Sequence, residues 1–212
     1  MEGHPATIEG VTDRPRITLR PAIRLDIPLL DYWNTLPHVI SATTDDPHAD
    51  TAFDGLEWEE DFAITEEHGP DVWQILIAEA DNRPIGAVQV IDPHLEPTHY
   101  WGDIEPGLRA LDIWIGEPDD LGLGYGTQMM HAVIDACFLN SDVQGIVIDP
   151  LASNTRAHMF YERLGFQLVG PRTFGEDNCL VYRLARKHST HRGLVEHDDD
   201  PPDSLGQKGS GC

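Results

Sequence analysis

The stretch Leu121-Gly122-Leu123-Gly124-Tyr125-Gly126-Thr127 joins a strand-like run, Leu108 to Ile115, to a helix-like run, Thr127 to Leu139. Three alternating glycines at a strand-to-helix junction constrain this chain more than any other feature. Glycine removes side-chain bulk and reaches backbone angles that other residues avoid. A ligand can then approach the main chain, and the helix that follows offers free N–H groups and a positive dipole end. The arrangement predicts an α/β unit with an anion site, suited to a pyrophosphate. A Walker loop would end in Gly-Lys-Ser/Thr, and no lysine is near. A dinucleotide fingerprint sits at the first strand of its domain, whereas this loop lies past mid-chain. A coenzyme loop of another kind, or a glycine-rich helix start without a ligand, remains.

The next segment supplies the context. Val143 to Asp149 reads as a buried strand, and Pro150 ends it. Ser153 or Asn154 can cap a helix running Arg156 to Leu164, with Gly165 as its stop. The text Asn154-Thr155-Arg156-Ala157-His158-Met159-Phe160-Tyr161-Glu162-Arg163-Leu164-Gly165-Phe166 matches the pattern N-x-x-A-x-x-x-Y-x-x-x-G-F of the GNAT N-acetyltransferases. Gly124 and Gly126 fill the glycine positions of that family's coenzyme A loop, R/Q-x-x-G-x-G/A, and Leu121 departs from its first position.

The chain is most similar to the aminoglycoside 6'-N-acetyltransferases within that superfamily. Ala110-Leu111-Asp112, Leu121 to Thr127, Asp149-Pro150 with Ser153-Asn154, and Tyr161-Glu162 with Gly165-Phe166 carry the likeness. Glu105-Pro106-Gly107-Leu108-Arg109, Ile17-Thr18-Leu19-Arg20 and Asp31-Tyr32-Trp33-Asn34 extend it. It spans residues 17–184 and is closest over 100–170. That subfamily also lacks Arg or Gln at the Leu121 position. Its tryptophans after the first helix are replaced here by Ser41-Ala42-Thr43-Thr44-Asp45-Asp46.

The resemblance implies an α/β GNAT fold, with a single mixed central sheet flanked by helices. It implies transfer of acetyl from acetyl-CoA to the 6'-amine of an aminoglycoside, hence antibiotic resistance. Coenzyme A would be held by Leu121, Gly122, Leu123, Gly124, Tyr125, Gly126 and Thr127, by the strand at Ile113, Trp114 and Ile115, and by Asn154. Asp112 would hold the amine and serve as its base, and Tyr161 would protonate the leaving thiolate. Asp149 would contact the drug's amino groups.

The residues themselves support parts of this. A carboxylate within Ala110-Leu111-Asp112-Ile113-Trp114-Ile115 is costly to bury without a cation or donor. Structural roles remain open beside these: an aspartate satisfied by backbone at a bulge for Asp112, a helix cap or turn residue for Asp149, a packed core tyrosine for Tyr161 and a cap alone for Asn154. Trp101, Asp103 and Glu105 combine aromatic and acidic character suited to an aminosugar, or form a solvated acidic loop. Other acceptors also fit the cofactor motifs, such as a siderophore hydroxylamine precursor or a protein N-terminus, and so does a non-catalytic acyl-CoA sensor.

Charge narrows the partner. The chain has 37 acidic and 14 basic residues and a net charge of −23. Residues 1–16 contribute −1 and residues 188–212 contribute −3, leaving −19 between them. Such a field repels nucleic acid and anionic membranes and attracts polycations; an acid-rich host proteome would also produce it. The expected organisation is a flexible arm over 1–16, an acetyltransferase domain over 17–187 and a disordered tail over 188–212, as a cytoplasmic monomer or homodimer. Cys137 and Cys179 read as buried free thiols and Cys212 as an exposed one; the histidines lack metal-ligand spacing, and no metal is assigned.

The expected elements are a short strand Ile17 to Leu19, a helix Arg24 to Leu36, a polar loop over 37–56, an acidic helix Trp58 to Glu67, and a hairpin Trp73 to Glu79 and Pro84 to Ile91. A long loop over 92–107 precedes the central strand, and a terminal hairpin ends near Leu184.

Overall fold

A computed structural model describes residues 15–52 and 58–187. Nearly all of the arm, the whole 188–212 tail and Cys212 lie outside the described residues. Seven strands form one sheet: β1 (Ile17–Pro21), β2 (Trp73–Ala80), β3 (Arg83–Ile91), β4 (Leu108–Ile115), β5 (Gly145–Ile148), β6 (Gln167–Phe174) and β7 (Asp177–Ala185). Their spatial order is β1-β2-β3-β4-β5-β7-β6. Every neighbouring pair is antiparallel except β4 with β5. The helices are α1 (Ile27–Asn34), α2 (Pro37–Thr43), α3 (Trp58–His68), α4 (Tyr125–Leu139) and α5 (Thr155–Arg163).

Both faces of the sheet are covered, so its central strands are near-continuous apolar runs. One face packs Leu30, Trp33, Val39, Trp58 and Phe62 of α1, α2 and α3 on Ile75, Ile77, Ala87, Ala110, Trp114 and Val147. The other packs Tyr125, Met129, Met130 and Val133 of α4 and Tyr161 of α5 on Leu76, Val88, Leu111, Ile146 and Ile148. Strand alternation sends Ala110, Asp112 and Trp114 to the first face and Leu111, Ile113 and Ile115 to the second. The 5.6 Å Trp58–Trp114 stack ties α3 to β4. Among the described residues no helix is long and apolar enough to cross a membrane.

Two expected elements are redrawn, and the other boundaries move by no more than two residues. The single helix from Arg24 becomes a 3-10 turn, Arg24–Asp26, followed by α1. Pro28 lacks an N–H and fits only a first helical turn, so the helix starts afresh there. Part of the expected 37–56 loop is helical, as α2. Pro37 stands at its N-terminus, Thr43 Oγ1 donates back to the carbonyls of Val39 and Ile40, and Val39 is buried. The polar composition of that stretch hid Val39 and Ile40, which pack on the core.

Candidate functional site

The site begins with a gap in the sheet. β4 pairs with β5 only at Leu108 with Gly145, Arg109 with Ile146, and Ala110 with Val147. β4 then continues for five residues with no partner strand on that edge among the described residues. Gly116 N–H donates to the Ile85 carbonyl, which sets the register of hydrogen bonding to β3. By the two-residue alternation, Asp112 and Trp114 turn their N–H and C=O to β3, and Ile113 and Ile115 turn theirs to the gap. His38 of α2 takes the Ile115 carbonyl at 3.0 Å. The backbone groups left for a ligand are therefore the N–H and C=O of Ile113 and the N–H of Ile115. Trp114, expected beside them, has its backbone in the β3 ladder and its ring against Trp58.

The glycine loop flanks this gap. Gly122 and Gly124 have φ of 75° and 84°, left-handed values that suit glycine. Gly124 is the N-cap of α4 and offers no side-chain cap, so the first-turn N–H groups are left for a ligand. A Cβ on Gly122 would meet nothing within 4 Å, and one on Gly126 only Phe160 at 3.7 Å. The loop thus presents bare backbone, as a pyrophosphate requires. Its entry is fixed by Asp120, which accepts two hydrogen bonds from Arg83 at 2.7 and 2.8 Å. Leu121, Leu123, Tyr125 and Thr127 complete the segment; Tyr125 is buried under the sheet and Leu123 is exposed.

Acidic groups collect on the α3 side of the gap. Asp112 is half-buried; burial and the charges of Asp149 and Asp61 raise its pKa well above the ordinary carboxylate range. Burial likewise raises Asp149, while Tyr100, which donates to Asp149 Oδ2 at 2.8 Å, pulls it down. The two carboxylates titrate as an interacting pair. Asp61, on α3, is 1% exposed, and burial pushes its pKa up to about 7. Its Oδ2 accepts from Gln89 Nε2 at 2.6 Å, and Gln89 lies directly opposite Asp112 across the strands. The Cys179 thiol is pushed up to about 12 by burial and by Asp149, Asp177, Asp45 and Asp112. A thiol that senses four carboxylates marks a strongly anionic pocket.

The gap also brings Tyr161 of α5 into the field of Asp112 and Asp149. Burial first, then those two charges, raise its hydroxyl above its usual value, so it stays protonated. Asn154 caps α5 by accepting from Ala157 N–H at 3.1 Å, which leaves its side-chain NH2 for a ligand.

Three expected acceptor residues sit elsewhere than the sequence suggested. Trp101 is 3% exposed and packs edge-on to Tyr100 and Phe174, so it supports the wall rather than forming its surface. The exposed ring is Tyr100, stacked on Phe174 at 4.5 Å. Asp103 and Glu105 line a separate open depression of about 430 Å³ with Arg172 and Arg183, where Glu105 pairs with Arg183 at 2.7 Å. Glu105 thereby has a cationic partner of its own outside Asp112's group.

Sequence reasoning missed Asp61, Gln89, Tyr100, Asp45 and Asp177. Asp45 and Asp177 meet where the Asp45 N–H donates to Asp177 Oδ1, and Ser153 Oγ donates to Asp45 Oδ1 at 2.6 Å. Gln89 carried a readable signal, a polar residue inside the apolar run Ala87-Val88-Gln89-Val90-Ile91. Asp61 carried a fainter one: it falls with Trp58 and Phe62 on the inward stripe of α3.

A family model described as an acetyltransferase (GNAT) domain matches residues 22–174. The aminoglycoside N(6')-acetyltransferase type 1 of Klebsiella pneumoniae is 27% identical over 177 residues, 83% of this chain and 86% of that protein. A kanamycin resistance protein of Rhizobium radiobacter is 32% identical over 99 residues, 46% of this chain and 91% of that protein. Among solved structures, the aminoglycoside acetyltransferase AAC(6')-Ib in complex with coenzyme A has the same fold. Its TM-score is 0.68 at 24% identity, over 80% of this chain and 95% of that one. The same protein with coenzyme A and kanamycin gives a TM-score of 0.67 at 25% identity, over 80% and 95%.

Proposed function

The chain belongs to the GNAT acetyltransferase family, and on that premise we propose that it transfers acetyl from acetyl-CoA to the 6'-amine of aminoglycoside antibiotics, a resistance activity. The family makes it an acetyl-CoA-dependent N-acetyltransferase, and we assign residues 17–187 to that domain. The observation that carries the acceptor assignment is the grouping of Asp112, Asp149 and Asp61, whose pKa values are all raised by burial. Buried carboxylates that repel one another are relieved by a ligand bearing several ammonium groups. A neutral or singly charged acceptor would leave most of that repulsion in place. The relatives named for aminoglycosides and kanamycin agree with a polycationic acceptor.

The cofactor, when bound, supplies an acetyl thioester. The first-turn amides of α4 and the glycine loop would hold its pyrophosphate, and the free edge of β4 at Ile113 would pair with its extended arm. The Ile113 N–H lies on that edge, where it would donate to the thioester carbonyl oxygen. An amine attacks only when neutral. Asp112, its pKa moved toward neutrality, is matched to take that proton at working pH. Asp149 and the wall of Tyr100 on Phe174 position the sugar. Tyr161, kept protonated by its surroundings, supplies a proton to the departing sulfur.

The test is thiol release from acetyl-CoA with kanamycin, tobramycin, amikacin and gentamicin, in parallel with spermidine and hydroxylysine. Turnover of the antibiotics with product acetylated at the 6' position is the expected result. Turnover of spermidine or hydroxylysine alone would assign the enzyme to another amine.

A further inference from the structure

Asp61 has no counterpart in the motifs that identify the family, and its burial is expensive. It sits on α3, and its carboxylate is aimed at the sheet rather than at water. Its neighbours on the helix explain the direction: Trp58, one turn earlier, stacks on Trp114, and Phe62 packs in the same core. This anchors the helix so that residue 61 faces Gln89. Neither member of the Asp61–Gln89 pair is accounted for by folding. An apolar pair of similar volume would pack there without desolvating a charge.

Gln89 is 4% exposed, and its NH2 group is committed to Asp61 at 2.6 Å. Its carbonyl oxygen Oε1 takes no hydrogen bond among the described residues. Gln89 and Asp112 form a directly opposed cross-strand pair, with both side chains on the α3 face of the sheet. An amide can present either end, and ammonium groups need acceptors. We infer, on the reading that the acceptor is an aminosugar, that Asp61 is a positioning residue. It holds the Gln89 NH2 so that Oε1 faces the space beside Asp112, where the two oxygens cradle one ammonium group.

The logic is electrostatic. An ionised Asp61 only accepts hydrogen bonds, so it fixes one orientation of the Gln89 amide. A protonated Asp61 can donate instead, which lets the amide turn and present NH2 to a cation. The groups that face Asp61 are Glu60 on its own helix and Asp112 on β4, with Asp149 and Tyr100 beyond, and Gln89 is its hydrogen-bond donor among the described residues. Three of these are acids, so a bound ammonium favours the ionised form and hence the locked orientation.

The experiment compares Asp61→Asn, Gln89→Met and the double variant with the wild-type enzyme. Asn keeps the shape but accepts or donates, so the lock is lost. Each single change should raise KM for kanamycin about tenfold, the scale of one charge-assisted hydrogen bond. The value of kcat should fall far less than in Asp112→Asn, because the base itself is untouched. The double variant should be no worse than Gln89→Met alone, because Asp61 acts through Gln89. Additive losses would overturn the proposal in favour of direct contact between Asp61 and the drug. An unchanged KM in Asp61→Asn would overturn it outright.

A purely structural role makes the opposite demand on stability. The folded-state pKa of Asp61 is raised above its ordinary 3.8 to about 7, so its ionisation opposes folding increasingly as pH rises through that interval. Asp61→Asn should therefore hold or raise Tm at pH 8; a marked fall would show that the residue is structural. The side-chain amide signals of Gln89 in nitrogen-15 spectra of the ligand-free enzyme give a readout free of substrate. They should be shifted and slow to exchange in the wild type and collapse toward exposed values in Asp61→Asn. If the wild type ignores kanamycin, the aminosugar reading falls and these spectra alone decide the lock: identical signals in the two proteins overturn it.

Discussion

Asp112 and Tyr161 belong to opposite faces of the sheet, and the Tyr161 hydroxyl is raised by the charge of Asp112 beside the place where β4 and β5 part. Their tasks separate on substitution. Asp112→Asn keeps the volume and loses the charge, so kanamycin turnover should fall by roughly 10²–10⁴ while acetyl-CoA affinity survives. Tyr161→Phe should lower kcat with kanamycin affinity nearly intact. Steady-state kinetics and calorimetry on both variants check the pair; a normal kcat in Asp112→Asn at neutral pH would move the base to Asp149. Both residues were legible in the sequence, Asp112 as a carboxylate inside an apolar strand and Tyr161 through the helix pattern beginning at Asn154. Asp61 was not legible. It lies among Glu59, Glu60, Glu66 and Glu67, and composition makes that helix a solvated acidic one. Which of those acids turns inward is decided by Trp58 meeting Trp114, a contact between segments 56 residues apart.

At the level of elements, the strand, glycine loop and helix from Leu108 to Leu139 were readable because each announces itself locally: an apolar run, three alternating glycines, then a helical apolar stripe. The partial pairing of β4 with β5 was not. Strand separation depends on what fills the space, and Val143 to Asp149 reads as an ordinary buried strand at any spacing. The loop carries a direct prediction. Gly126 stands in the first turn of α4, where a Cβ would meet only the Phe160 ring at a van der Waals distance of 3.7 Å, so Gly126→Val should fold yet obstruct a phosphate. Calorimetric affinity for acetyl-CoA should weaken by more than about 1.4 kcal/mol, a factor of ten. An unchanged affinity in the folded variant would remove the loop from the cofactor site. The 37–43 helix shows the opposite failure, in which a real element was masked by Pro37, His38 and Ser41. Its value to the site is His38, which closes the Ile115 carbonyl.

Over the whole molecule, a net charge of −23 acts on any polycation before contact. Exposed fields are screened over about 10 Å at 0.1 M salt, so kcat/KM for kanamycin should fall as salt rises from low ionic strength. A neutral amine should show a far flatter response, and equal slopes for the two would take steering out of the account. The charge was legible from composition alone; its concentration around Cys179 needed the fold, because Asp45, Asp112, Asp149 and Asp177 come from four different segments. The gap between β4 and β5 has a further consequence. Three residue pairs join one plate of strands, β1 to β4, to a second, β5, β7 and β6. A molecule laid in that notch would work as a keystone, touching both plates at once and stabilising the folded protein by mass action, about 2.7 kcal/mol at a hundred times its dissociation constant, so the melting temperature should climb with the concentration of acetyl-CoA.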